Sequence, residues 1–344
     1  MTQVIDDSMG AGDGSAVVSA RSRWAIGGAS IGAYVARRLL VLAVLLVAVS
    51  FAVFCLLYLA PGNPIDMLLG QRPRTPATVS ALTREYNLDK PFFEQYWLWA
   101  WRAMHLDFGT SIQTSLPVAT EIKARLPTSL FLGCYAFGLA TITGVGLGVQ
   151  AAVRRRTLVD RFVVGAAVVG LSTPVFVSGV GLLYVFAIQL HWLPAFGKGN
   201  GFFDELWHLT LPAIALAVPS TAYILKHARA AMLGVLEQDY IVFARARGLS
   251  PWRILFSYSL RNALIPVVTM CGLVLSSLIV GAVLTEMTFS VQGIGHLLVQ
   301  SALAKDIAVI QCVSLLVAVS VMATNLLADV LYLFVDPRIR IGRR

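Results

Sequence analysis

Charge is scarce in this sequence. Only 13% of its 344 residues are Asp, Glu, Lys or Arg, against 57% hydrophobic residues, and its mean hydropathy is +0.75. A soluble domain carries about 25% charged residues. This composition excludes a chain solvated by water alone and requires lipid as part of the solvent. The remaining charge is basic, +9 net. The arginines cluster beside apolar runs and form no stripe interleaved with aromatics, so the pattern speaks for membrane topology and against nucleic acid as a partner.

Other absences narrow the function. The four cysteines, Cys55, Cys134, Cys271 and Cys312, fall in separate apolar runs with no metal spacing. They read as small buried hydrophobes. The phosphate-binding pattern G-x-x-x-x-G-K-[ST] is missing; the GKGN at 197–200 lacks the rest of it. No H-E-x-x-H occurs, so metal-dependent hydrolase chemistry has no visible site. His191, His208, His227 and His296 do not pair at ligand spacing and read as boundary residues. The middles of the apolar runs hold no ionisable group, which carriers driven by protons or sodium keep at membrane depth. Asp329 and Lys226 lie toward run ends. What remains is a helical membrane body without an energy source of its own. It is a passive channel, a structural subunit, or the membrane half of a pump whose motor is another protein.

Six runs are long enough to span: approximately 39–59, 129–153, 162–190, 209–232, 263–285 and 308–334. A span needs about 20 residues at 1.5 Å each. The fourth is the weakest, because Pro212, Pro219, Lys226 and His227 interrupt it. Arg37, Arg38, Arg154, Arg155, Arg156, Arg161, Arg229, Arg245, Arg247, Arg253 and Arg261 all fall on one side of such a six-span chain. The bias of basic residues in short loops puts that side, and both termini, in the cytoplasm. Residues 1–33 read as a flexible cytoplasmic extension, and the first run as a retained signal anchor. Residues 61–128 form a long external loop, in which Trp97, Trp99 and Trp101 suit an interfacial belt.

The stretch "DYIVFARARGLSPWR" at 239–253 carries stop and start signals. Helix can continue from about Leu233 to Arg247. Gly248 then suits a left-handed C′ position with Leu249 as its apolar companion. Ser250 suits an N-cap and Pro251 the first helical position. The sequence writes helix, sharp corner, helix. Tyr240, Ala244 and Gly248 recur at i, i+4 and i+8 and offer a face with small residues for close approach of a partner. Arg245 and Arg247 flank it, either to meet acidic groups or only to enforce topology.

The pattern "QDYIVFARARGL…SLRNALIPVVT" resembles the cytoplasmic signature loop of ATP-binding-cassette importer permeases of the dipeptide and oligopeptide type. The chain is similar to that family from about Tyr34 to Arg340. "YVARRLLVLAVLL…LAPGNP" matches the first span and its exit, and "LTREYNLDKPFFEQYWLW…LDFGTSI…PV…I…RLPTSL" the external loop. "TEMTFSVQGIGHLL" at 285–298 and "DPRIR" at 336–340 match as well. Residues 1–33 exceed the usual N-terminus, and Val242 stands where the general importer pattern has Glu.

The resemblance implies an all-α integral membrane protein of the type I importer permease architecture in a bacterial inner membrane. It has six spans in a permease domain, 34–340, a cytoplasmic coupling region, 233–262, and a cytoplasmic tail, 341–344. It implies no cofactor on this chain. Its implied partners are a second permease subunit, two ATPases that bind ATP and Mg, an extracytoplasmic substrate-binding protein and membrane lipid. Asp239, Tyr240, Ala244, Arg245, Ala246, Arg247 and Gly248 would then couple to an ATPase. Glu286, Phe289, Gly293 and Gly295 would form an external gate or the docking surface for the binding protein, with the two glycines permitting a tight re-entrant turn. The cargo would be peptides; nickel chelates, haem or sugar-like solutes are the alternatives within the family, and a passive channel or scaffold outside it.

Overall fold

A computed structural model describes residues 31–59, 63–69 and 73–335. The expected extension 1–33 lies outside these but for its last three residues, which already belong to the first helix. The expected tail 341–344 and the DPRIR motif also lie outside. The described residues form helices and no strand.

In chain order, α1 is Ile31–Leu59, followed by the short α2 (Pro64–Leu69), α3 (Pro76–Glu85) and α4 (Phe92–Met104). Next come α5 (Val118–Val153), α6 (Leu158–Ser172) and α7 (Val175–Leu182), which continues in π-helical form to Gln189. The second half holds α8 (Phe202–Leu236), α9 (Asp239–Ala246) and α10 (Pro251–Arg253), which leads through π-helical turns at Ile254–Leu260 into α11 (Arg261–Thr288). It closes with α12 (Ile294–Leu303) and α13 (Ile307–Val335). Among the described residues, five helical stretches are long and apolar enough to cross a membrane, and the number is six if a bent pair counts as one span.

That pair corrects the expected third span. The run 162–190 is not one helix: α6 and α7 meet at 109°. Pro174 has no N–H to give the preceding turn, and Thr173 before it is extended at ψ 121°. The expected fourth span departs in the other direction. Pro212 and Pro219 interrupt nothing, and α8 runs unbroken for 35 residues. In its apolar stretch 61% of residues are buried, against 11% in α1. α8 is the central post of the bundle, and its two internal prolines are of the kind that membrane helices tolerate.

The seam between α5 and α8 follows from small side chains. Leu132, Ala136, Ala140, Gly144 and Gly148 recur every four residues and are all buried. A Cβ on Gly144 would stand 2.9 Å from Ile224, and one on Gly148 2.7 Å from the Leu225 carbonyl oxygen. Only glycine allows this approach, the close packing of a G-x-x-x-G pair between membrane helices. Cys134 points off this seam and is exposed, contrary to the expected burial of all four cysteines; Cys312 is buried and Cys55 and Cys271 half-buried.

Helix α5 starts at Val118, inside the expected loop 61–128. Its 36 residues make about 54 Å, well beyond the roughly 30 Å hydrocarbon core. The preceding segment is pinned to α13 by Asp306, which is buried and accepts from Ser111 Oγ at 2.6 Å and from the Ile112 N–H at 2.8 Å. Arg102 Nε donates to Asp107 at 2.9 Å and holds that carboxyl below the ordinary carboxylate range. On α4, Trp97 and Trp101 are exposed, as an interfacial belt requires. Trp99 is not, because it lies on the opposite helix face. Its Nε1 donates to Gln311 of α13 at 3.1 Å.

Candidate functional site

The corner at 233–262 forms as its residues dictate, with one added break. Helix α8 ends at Leu236, and Asp239 opens a separate eight-residue helix in place of continuous helix to Arg247. Asp239 stands in the first turn of α9, where its charge favours the helix dipole. At the far end Gly248 has φ +75°. Its N–H donates to the Arg245 carbonyl at 2.9 Å, and the Leu249 N–H to that of Ala244 at 3.3 Å. These are the two bonds of a Schellman motif. Leu249 packs on Ile241, Ala244 and Ile254. Ser250 Oγ accepts from the Arg253 N–H at 3.4 Å, and Pro251 takes the first helical position.

One expectation about this corner fails. Ala244, expected on a face open to a partner, is 4% exposed and packs against its own chain. The Schellman turn folds Leu249 back over it. The free surface is instead Val242, Phe243, Arg245, Ala246 and Arg247, continued by Trp252 and Phe256. Phe243 is 68% and Trp252 70% exposed, and the Trp252 and Phe256 rings stack with centroids 5.7 Å apart. Among the described residues neither Arg245 nor Arg247 is part of an ion pair. Tyr240 points back to the bundle, where its hydroxyl accepts from Asn262 Nδ2 at 3.1 Å.

Ion pairs join α8 to the turn before α6 and reach the edge of the corner. Arg229 of α8 donates through Nε and Nη2 to both oxygens of Asp160, at 2.7 and 2.9 Å, and the Arg156 N–H donates to the same carboxylate at 3.0 Å. Asp160 is buried at the start of α6. Arg155 pairs with Glu237 at 2.5 Å beside the break before α9. Asp329 pairs with Arg38 of α1 at 2.5 Å.

The second candidate group lies at the opposite end of α11, and none of its members is on the surface. Glu286 is 0% and Phe289 1% exposed, and Gly293 and Gly295 are buried. These four therefore offer no docking surface. They build a latch. Glu286 Oε1 accepts from Ser129 Oγ of α5 at 2.7 Å, and Oε2 from the His296 N–H at 3.0 Å; the Gly295 N–H also donates to the carboxylate. Ser129 Oγ accepts from the Ile294 N–H at 2.8 Å. A carboxylate and a hydroxyl thus satisfy the first N–H groups of α12, which have no partner within that helix. Burial, with the Arg125 charge nearby, lowers the His296 imidazole below its usual value.

The glycines serve a different purpose from the one expected. Gly293 is extended at φ −107°, and left-handed backbone at this turn falls on Ser290, with φ +50°. What Gly293 supplies is space: a Cβ there would lie 2.3 Å from the Glu286 carboxylate. A Cβ on Gly295 would lie 2.5 Å from Val283 Cα. Phe289 packs with Leu209, Leu211, Ala215 and Val291, close against Gly179 of α7. The span count alone misses the latch and the α5–α8 seam. The readable signals were the spacing of Gly144 and Gly148, and a carboxylate seven residues before a glycine at a helix start.

Residues 144–341 match the family described as binding-protein-dependent transport system inner membrane component, and residues 32–133 match the N-terminal region model of the same transport components. The chain is 35% identical over 335 residues to the dipeptide transport system permease protein of Escherichia coli (strain K12), covering 89% of this chain and 98% of that one. It is 37% identical over 315 residues to the oligopeptide transport system permease protein of Bacillus subtilis (strain 168), covering 90% and 99%. An inward-facing crystal structure of the MetNI methionine ABC transporter shares the fold, with TM-score 0.51 at 16% identity over 63% of this chain and 96% of that one.

Proposed function

The chain belongs to the family of binding-protein-dependent transport system inner membrane components, and from that premise we propose that it is the permease subunit of an ATP-driven importer of dipeptides and oligopeptides. The names of its relatives support the cargo. It works as a multi-pass protein of the bacterial inner membrane. The bent pair α6–α7 counts as one span, which gives six and leaves both termini cytoplasmic.

The observation that carries this reading is the corner. A short helix held outside the bundle, with Phe243, Trp252 and Phe256 exposed beside unpaired Arg245 and Arg247, is a surface made to be covered. Its partner is an ATPase with an apolar groove and an acidic rim. Two such ATPases bind ATP and Mg and hydrolyse the nucleotide, while this chain hydrolyses nothing. A second, paralogous permease subunit completes the pathway, and an extracytoplasmic binding protein delivers peptide. Asp239 and Gly248 set the ends of the coupling helix, Tyr240 fastens it to α11, and Ala244 anchors its inner face. Nucleotide-driven closure of the ATPases moves the corner as a rigid body. The α11 helix then carries the movement to the Glu286 latch, which acts as part of the external gate.

The test is reconstitution in proteoliposomes. With its ATPases, second permease and binding protein, the chain should take up a labelled dipeptide only when ATP is present on the ATPase side. Phe243→Asp should release the ATPases and abolish uptake. Uptake without ATPases, or ATPase binding untouched by Phe243→Asp, would overturn the reading.

A further inference from the structure

A hollow of about 710 Å³ opens between α1, α4, α5 and α13, at the end of the bundle away from the 233–262 corner. Its depth comes from small residues, Ala100 and Ala103 on α4 and Ala119 on α5, facing larger ones such as Val47, Leu126 and Leu316. The hydroxyls and the Trp99 N–H on its wall are already satisfied. Ser50 and Tyr96 pair through their hydroxyls at 2.8 Å, and the Trp99 N–H is held by Gln311. Water needs two to four polar partners, and apart from Lys123 and the Trp97 N–H it finds none free here. A lining so largely apolar does not suit a peptide path.

Two side chains at the hollow set its orientation. Trp97 is exposed, as interfacial tryptophans are. Lys123 is exposed, lines the same hollow, and forms no ion pair among the described residues. On α5 its side chain leans toward the helix N-terminus, away from the bundle centre. The apolar wall runs along α13 from Cys312 to Val319, roughly 10 Å at 1.5 Å per residue, which lies within the roughly 15 Å depth of one leaflet. An apolar slot of one-leaflet depth with a free cation at hand is complementary to a single lipid molecule. A helix fits it less well. With side chains a helix is about 10–12 Å across, so less than two turns would fill the space.

We infer that this hollow is a binding site for one anionic phospholipid, with an acyl chain between α1, α4 and α13 and its phosphate against Lys123. The lipid clamps the α4 surface helix to the bundle. Lipid, in this reading, is a structural ligand of the permease at a fixed position.

The test is native mass spectrometry of the purified full chain with its partner subunits, delipidated in detergent and titrated with dioleoylphosphatidylglycerol or dioleoylphosphatidylcholine. The wild type should retain one lipid, phosphatidylglycerol over phosphatidylcholine by about fivefold, the effect of one lysine near a charged headgroup. Lys123→Gln should bring the two lipids to parity. Ala100→Phe, which fills the hollow, should remove the retained lipid, and Ala119→Leu should weaken it, with both proteins eluting as folded complexes. Equal retention by wild type and Ala100→Phe would overturn the proposal, as would a preference untouched by Lys123→Gln. A cysteine at Ala100 that crosslinks to a neighbouring subunit would overturn it too, by making the face a helix interface. None of these readouts depends on transport, so they stand apart from the importer reading.

Discussion

Replacing Gly293 by alanine separates two explanations of a glycine. If Gly293 were needed for a left-handed backbone, alanine would cost the usual strain of that region. Its φ is −107°, so alanine meets no backbone penalty and the whole effect is steric. The added Cβ would stand 2.3 Å from the carboxylate of Glu286, where ordinary contact begins near 3.4 Å. The carboxylate must retreat by about 1 Å, which stretches its bonds to Ser129 and His296 to about 4 Å, past hydrogen-bond range. Overpacking costs about 1–3 kcal/mol, and weakening hydrogen bonds to a charged group adds about 1.5 kcal/mol or more. The expected loss is about 3–5 kcal/mol. Glu286→Ala alone should cost about 2–5 kcal/mol, because the Gly295 and His296 N–H groups lose their acceptor. The double variant should cost little more than Glu286→Ala, since the new Cβ enters vacated space. Equilibrium unfolding in mixed micelles of all four proteins measures the coupling, expected near 3 kcal/mol. Additive losses, or a Gly293→Ala protein as stable as the wild type, would refute the latch.

The other predictions use different mechanisms. Gly248→Val meets no neighbour within 4 Å but sits at φ +75°, so it should introduce about 1–3 kcal/mol of local strain. Normal membrane abundance with weak ATPase retention and little uptake is expected; wild-type uptake would remove the corner from coupling. Asp160→Asn leaves Arg229 without its bidentate partner and should cost about 3–5 kcal/mol, seen as lowered thermal stability of the purified complex. Gly148→Leu drives a side chain into the Leu225 carbonyl and should cost about 3 kcal/mol, the upper end for overpacking, read as lost folded protein after detergent extraction. Cysteines at Ala246 and Thr110 should be labelled by an impermeant thiol reagent from opposite faces, the first only from the cytoplasm. Labelling from one face alone would overturn the topology.

Much of this architecture is legible in the residues, and the failures share one cause. Five apolar helices follow from run length, and the third run is a bent pair instead of one helix. The turn at Gly248–Pro251 follows from four adjacent residues, each with a local preference, and the structure realises all four. Proline ends a helix at Pro174 and lies inside an unbroken one at Pro219. No local pattern carries that information. The same holds for Ala244, whose inward orientation is set by Leu249 folding over it, and for Phe289, which is apolar and near a loop yet lies in the α7–α8 contact. For Gly293 the residue is legible and its reason is not, because Glu286 reaches it through space.

Glu286 also places a demand on biogenesis. Its acceptor atoms are matched to Ser129, made 157 residues earlier, and to His296, ten residues later. At a synthesis rate of about 5–20 residues per second, the α12 amides follow the carboxylate by about 0.5–2 s. During that interval α11 is complete but its carboxylate lacks its helix N-terminus, and a bare carboxylate is poorly tolerated in hydrocarbon. The end of α11 must therefore wait at the aqueous boundary until α12 emerges and folds back. Chains truncated before His296 should stay loosely inserted at this end, open to modification from the side facing the latch. Extending the chain past Leu303, the end of α12, should close it. The order of translation thus determines when this part of the bundle can become dry.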